Sequence, residues 1–385
     1  MKIANCKRQN ELKPLSVCLF CIFHFALCIL QFLALLAAPA WAQQKWEKEW
    51  NEILTKARKE GSVVVAGSPD PVMRNEIIPK FAARFGIGVE FLAGRSSEMA
   101  ARIRTERSAG IYAVDVFLSG PDTTANTLYG EKMIDPLKPL LILPEVIDSS
   151  RWKKGGPWFI DPEERYVLRA FSSVSSLLFI NTDYVKPEEL RWTKDLLNPK
   201  WKGKISTEDP KTTGAGANLA SRFYNDLGEE FVKKLYIDQK PVSTRERRQF
   251  TDWLARGTYP ICLNCRDDDV RPLQKEGFKI LEIFELIDIA PTINGSPWML
   301  TVANKAPHPS AARVFANWIV SKEGLEIYSR GYGSATLRTD VDESFLNPRT
   351  LPRPGAKYFD DTDWKWIITG RRETREKVWK ILKPR

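Results

Sequence analysis

The sequence predicts an α/β chain folded as two lobes about a hinge. Three observations carry this reading. Short β-branched apolar runs alternate with loops and helix-period segments three times in succession. The pattern leaves for a second block near residue 174 and returns near residue 290. The chain also has 385 residues of ordinary globular composition, 43 % hydrophobic and 28 % charged, enough for two cores.

The first block begins with a polar–apolar helix pattern over 45–59, ended by Gly61. Residues 62–66 (Ser-Val-Val-Val-Ala) read as a parallel strand buried on both faces. A loop with Ser68, Pro69 and Asp70 leads into a helix over 72–85. A strand over 88–92 then leads through Arg95, Ser96 and Ser97 into a second helix, and a strand over 114–118 leads through Ser119 and Gly120 into a third. Such loops put free N–H groups and positive helix ends on one crevice, so their serines and Arg95 are candidate ligand contacts as well as helix caps.

Residues 137–165 are Pro-interrupted and irregular. Strands over 166–171 and 176–181 follow, with 172–176 as the crossover between lobes. In the second block a strand ends near Thr207, and Thr213-Gly214-Ala215 precedes helix patterns over 217–227 and 229–236. That segment is a candidate anion seat, although it lacks the Gly-Lys-Ser/Thr of a phosphate loop. A helix over 243–256, a strand over 259–263 and a strand over 279–284 complete the block. Gly295-Ser296-Pro297-Trp298 opens the return, helices over 310–320 and 322–328 follow, and a last amphipathic helix spans 371–382. The expected organisation is a signal peptide at 1–42, lobe one from 43–173 with 290–340, lobe two from 174–289, and a C-terminal extension at 341–385 packing on the lobes. A crevice between lobes is a ligand site that hinge motion can close.

Residues 1–42 combine Lys2, Lys7, Arg8 and Lys13 with an apolar run and an Ala40-Trp41-Ala42 cleavage pattern. Cleavage before Gln43 and a periplasmic location are the expectation; an uncleaved leader would instead make a membrane-tethered sensor. Four of the six cysteines lie in the leader, leaving Cys262 and Cys265 as a disulfide or a redox pair. The charge of +10 falls to +7 without the leader, and its bases are interleaved with acids, so nucleic acid is not an expected partner. His308 is the one histidine beyond the leader. A Ser-His-Asp triad or a histidine metal site is therefore hard to assemble, and the sharpest enzyme alternative is a thiol oxidoreductase.

Several segments together resemble the solute-binding proteins of ABC importers, of the type that includes the ferric-ion-binding proteins. They are 198–205 (Asn-Pro-Lys-Trp-Lys-Gly-Lys-Ile), Thr213-Gly214-Ala215, Gly257-Thr258-Tyr259-Pro260-Ile261 with 274–277, Gly295-Ser296 before 300–303, and Lys322-Glu323-Gly324. The resemblance spans roughly 60–335. It implies a type II periplasmic-binding-protein fold, a small-molecule solute in the cleft, delivery to a membrane permease, no cofactor, no enzymatic activity and a monomer. The iron ligands are not matched, since Pro69, Gly120 and the pair Asp267 and Asp268 stand at the ligand positions. Arg95, Arg266 and the Thr213–Ala215 seat favour an organic anion. The rivals are an organic cation or polyamine held by Asp267 or Asp268 and stacked on Trp298, or a ferric or other metal complex.

Overall fold

The computed structural model describes residues 46–244 and 246–383; the leader at 1–42 lies outside them. The chain divides into two units, residues 1–52 and 53–385. In the first, residues 46–52 are helical. In the second, helix α1 (residues 53–60) stops at Gly61, which takes a φ of +82° and returns its N–H to Ala57 O at 3.0 Å. Glycine suits this left-handed stop because it has no Cβ to clash.

Strand β1 (Ser62–Gly67) is buried from Val63 onward, as its unbroken apolar run requires. It pairs in parallel with β2 (Gly88–Ala93) and β3 (Val116–Ser119). Helices α2 (Ile78–Phe85) and α3 (Ser96–Ser108) make the two crossovers. After β3 come α4 (Pro121–Thr123), a helical turn to Tyr129, β4 (Ile134–Asp135), α5 (Pro144–Ile147), β5 (Trp158–Phe159) and β6 (Leu168–Arg169). The chain then crosses through β7 (Ser173–Ser175).

The second lobe is a five-stranded sheet of β8 (Leu178–Asn181), β9 (Ile205–Glu208), β10 (Val242–Thr244), β11 (Ile261–Cys262) and β12 (Ile280–Ile283), in the order β10-β9-β11-β8-β12. Its helices are α6 (Ala215–Lys233), α7 (Arg247–Ala255) and α8 (Asp267–Lys275). The helix patterns of 217–227 and 229–236 are both present within α6 and meet end to end at Gly228, whose φ of +82° is non-helical. The helix expected from 243 starts later, because 242–244 pair with β9 as a parallel edge strand.

The chain returns through β13 (Thr292–Asn294), which pairs antiparallel with β7. The two crossings thus form the hinge ribbon. β14 (Met299–Ala303) then inserts antiparallel between β3 and β6, giving the order β2-β1-β3-β14-β6-β5, with β4 also on β14. Helices α9 (Pro309–Ile319) and α10 (Lys322–Tyr332) close the first lobe. Phe315 and Trp318 of α9 meet Phe81 with ring centres 5.2 and 5.4 Å apart. Full burial of each such ring stabilises the fold by roughly 1.5–3 kcal/mol. His308 sits at the start of α9 and is structural. Its Nδ1 lies 2.9 Å from buried Asp115, whose carboxylate also accepts the N–H groups of Val64 and His308.

The extension contributes β15 (Phe359–Asp360), a third strand of the hinge sheet paired in parallel with β13, and then α11 (Arg371–Leu382). The sequence foretells α11 at these bounds. The two-residue β15 it does not, since so short a strand carries no alternation to read.

Candidate functional site

The ends of the first-lobe strands and the starts of α6 and α8 supply the candidate side chains. In the loop after β1, Asp70 is buried and its Oδ1 accepts the N–H groups of Val72 and Met73 at 2.8 and 3.2 Å. Burial raises its pKa, with those two N–H groups pulling the other way. Ser68, Pro69 and Asp70 line a small cavity of about 20 Å³ together with Phe91, Trp298, Tyr328 and Tyr332. Trp298 and Tyr328 are buried and stack edge to face at 5.2 Å, with the Tyr328 hydroxyl set between the indole N–H and the Asp70 carboxylate. Burial drives the Tyr328 pKa well up, and the Asp70 charge adds to it.

On the second lobe, Cys262 ends β11 and is bonded to Cys265. This settles the choice between a bridge and free thiols. The bridge holds the turn that aims Arg266 and Asp267. Arg266 donates to Asp268 at 3.0 Å and reaches across the gap to the Tyr332 hydroxyl on α10. Arg271 also crosses, donating to Tyr332 O at 3.4 Å. Asp267 accepts from Ser176 Oγ at 2.9 Å, and burial raises its pKa. Asp267, Asp268 and Asp269 form the first turn of α8, where their charges suit the helix dipole.

Not every expected residue converges. Arg95 is exposed and pairs with Glu98 at 3.7 Å and, across the gap, with Glu246 at 3.9 Å. Ser96 and Ser97 open α3. Ser119 is buried and hydrogen-bonded to Thr124 at 2.7 Å, which ties it to the helical turn after β3. Ser296 is exposed, with its N–H donated to Asn294 Oδ1. Thr213 and Ala215 are exposed at the start of α6, and the carboxylate of Glu208 lies against Gly214: a Cβ there would sit 2.8 Å from Oε1. An anion brought to that helix start would therefore meet a like charge.

Sequence reasoning missed Tyr328 and Tyr332, whose i, i+4 spacing on one helix was the available signal. It also missed Asp70, readable as a cap before a helix, and Glu208. Among the described residues, no group of three or more His, Cys, Asp or Glu side chains is placed to hold a metal ion.

Residues 76–348 match the model of the family described as bacterial extracellular solute-binding protein. Iron uptake protein A1 of Synechocystis is 28 % identical over 131 residues, 34 % of this chain and 33 % of that protein. The chain thus matches about a third of the length of this curated relative. The Trichodesmium protein IdiA (FutA), solved in complex with iron and citrate, superposes with a TM-score of 0.60 at 16 % identity, covering 84 % of this chain and 99 % of the other. The periplasmic binding protein AfuA of Actinobacillus pleuropneumoniae, solved with fructose-6-phosphate, does so at 0.64 and 17 % identity, covering 83 % and 97 %. At these identities the superpositions show a common fold, the two-lobed periplasmic-binding-protein architecture.

Proposed function

The chain belongs to the bacterial extracellular solute-binding protein family, and from that premise we propose that it is the periplasmic component of an ABC importer that carries an organic cation to the permease. The role is binding rather than catalysis. The observation that carries the solute class is the state of the acids at the gap. Among the described residues, Asp70 and Asp267 form no salt bridge, and burial raises the pKa of both, so each gains from a cation brought beside it. Aromatic rings of Phe91, Trp298 and Tyr332 stand around Asp70 and suit an amine. The cations on which an anion would rely, Arg95 and Arg266, are each paired with a carboxylate.

An organic anion is the second reading, supported by the citrate and the sugar phosphate held by the two solved neighbours. Calorimetric titration with polyamines and thiamine-like cations, set beside carboxylates, phosphonates and sugar phosphates, separates the two. The cation reading expects heat from the first set only, with loss of at least tenfold in affinity in Asp70→Asn or Asp267→Asn. Binding of the second set alone, indifferent to both substitutions, refutes it. Mass of the exported protein beginning at Gln43 supports cleavage of the leader; retention of residues 1–42 favours a tethered sensor.

A further inference from the structure

The extension is anchored to both lobes, whereas a hinge of two crossing strands needs no third element. Its first-lobe anchors are buried. Arg169 of β6, with no exposed surface, donates from Nη1 to both oxygens of Asp360 at 2.9 and 2.7 Å. Arg371 at the head of α11, equally buried, donates to Asp122 of α4 at 2.9 Å and to Asp361 at 2.7 Å. Its second-lobe anchors combine apolar packing, a hydrogen bond and a cation–ring contact. Val378 of α11 is part of the core that contains Phe223 and Val232 of α6, and Trp379 donates its indole N–H to Pro210 O at 2.9 Å. Arg222 of α6 lies 3.5 Å over the ring of Phe359.

Six helical residues lie between Arg371 and Val378, and the seven helical steps make a rigid rod of about 10 Å that ties one lobe to the other. Moving the lobes apart on this side would pull a buried guanidinium from its carboxylates or Val378 from its core. Away from the extension, the gap is crossed by Arg95–Glu246, an exposed pair of little strength, and by the contacts of Arg266 and Arg271 with Tyr332.

We propose that the C-terminal extension, through β15 and α11, is a strap that fixes one side of the inter-lobe gap, so that the protein opens only at the Arg95–Glu246 and Arg266–Tyr332 side and over a narrow range. This does not depend on which solute binds.

Pulsed electron resonance between spin-labelled unnatural amino acids at exposed positions 111 and 248, one in each lobe, reads the opening directly. The wild-type protein is expected to show one narrow distance family. Glu246→Gln with Tyr332→Phe shifts it to longer distances without splitting it. Asp122→Asn with Asp360→Asn, which discharges the first-lobe anchors, broadens it further. A wild-type distribution that is broad or splits into several distance families overturns the proposal, and this outcome needs no variant to fold. A folded strap variant, checked by circular dichroism, whose distribution matches the wild type overturns it as well.

Discussion

Replacing Asp360 by Ala strands a positive charge where no water reaches. Arg169 has no exposed side-chain surface, and burial lowers its pKa against the opposing charge of Asp360. Breaking a buried pair by removing one partner costs about 3–5 kcal/mol. Asp360 is 26 % exposed, which places this pair at the low end, about 3 kcal/mol. Asp360 also accepts the N–H and the hydroxyl of Thr362 at 2.9 and 2.7 Å, and their loss adds about 1 kcal/mol. Urea unfolding followed by tryptophan fluorescence should therefore show Asp360→Ala less stable by about 4 kcal/mol. Arg169→Met in the same background removes the stranded charge and should recover about half of the loss; because Arg169→Met alone also costs stability, the double-mutant cycle should give a coupling of at least about 2 kcal/mol. A loss below about 1 kcal/mol, or a coupling near zero, would show that Arg169 is satisfied without the extension and that β15 does not anchor it.

Other consequences follow from the second lobe. The Asp267 carboxyl titrates above its ordinary 3.8 in the folded state, chiefly through burial. The folded form then holds the proton more tightly than the unfolded one, so this contribution to stability is complete below about pH 4 and fades as pH rises through the raised value. Asp267→Asn should accordingly gain stability over the wild type as pH rises from 4, measured by urea midpoints; a difference that is flat or shrinks with pH contradicts the burial of this group. Reducing the Cys262–Cys265 bridge opens a short loop and should cost about 2 kcal/mol, seen as a lower midpoint with phosphine reductant. An unchanged midpoint would mean that the unfolded chain gains nothing from its release. Gly216→Ala sets a Cβ 2.2 Å from Glu208 O, a backbone atom that cannot swing aside, and should destabilise by about 1–3 kcal/mol or more; normal thermal stability would refute that close approach of α6 to β9.

Much of the fold was legible because its signals are local. The Val63–Val64–Val65 run, with glycines on either side, could only be a buried strand, and the helix over 371–382 is amphipathic within its own length. The departure and return of the strand–helix pattern pointed to a hinge, and β7 and β13 pair antiparallel with each other. The site was read less well. Arg95 and Ser119 sit in the right loops, yet one is turned to an exposed ion pair and the other to Thr124. Loop position follows from sequence order, whereas a side chain's partner depends on which way it turns and, for Arg95 with Glu246, on residues far along the chain. Asp360, which satisfies Arg169, is 191 residues away.

By itself the sequence determined the alternation of strands and helices, the two-lobed plan and the absence of the iron-ligand pattern, because these depend on residue type and spacing along the chain. Only the tertiary structure decided which charges face each other. It gave Arg266 to Asp268, set Glu208 at the start of α6, left Asp70 and Asp267 outside salt bridges among the described residues, and brought Arg371 to Asp122 across 249 residues. Pairing between charges depends on distance through space and on burial, and neither quantity is carried by a residue's position in the chain.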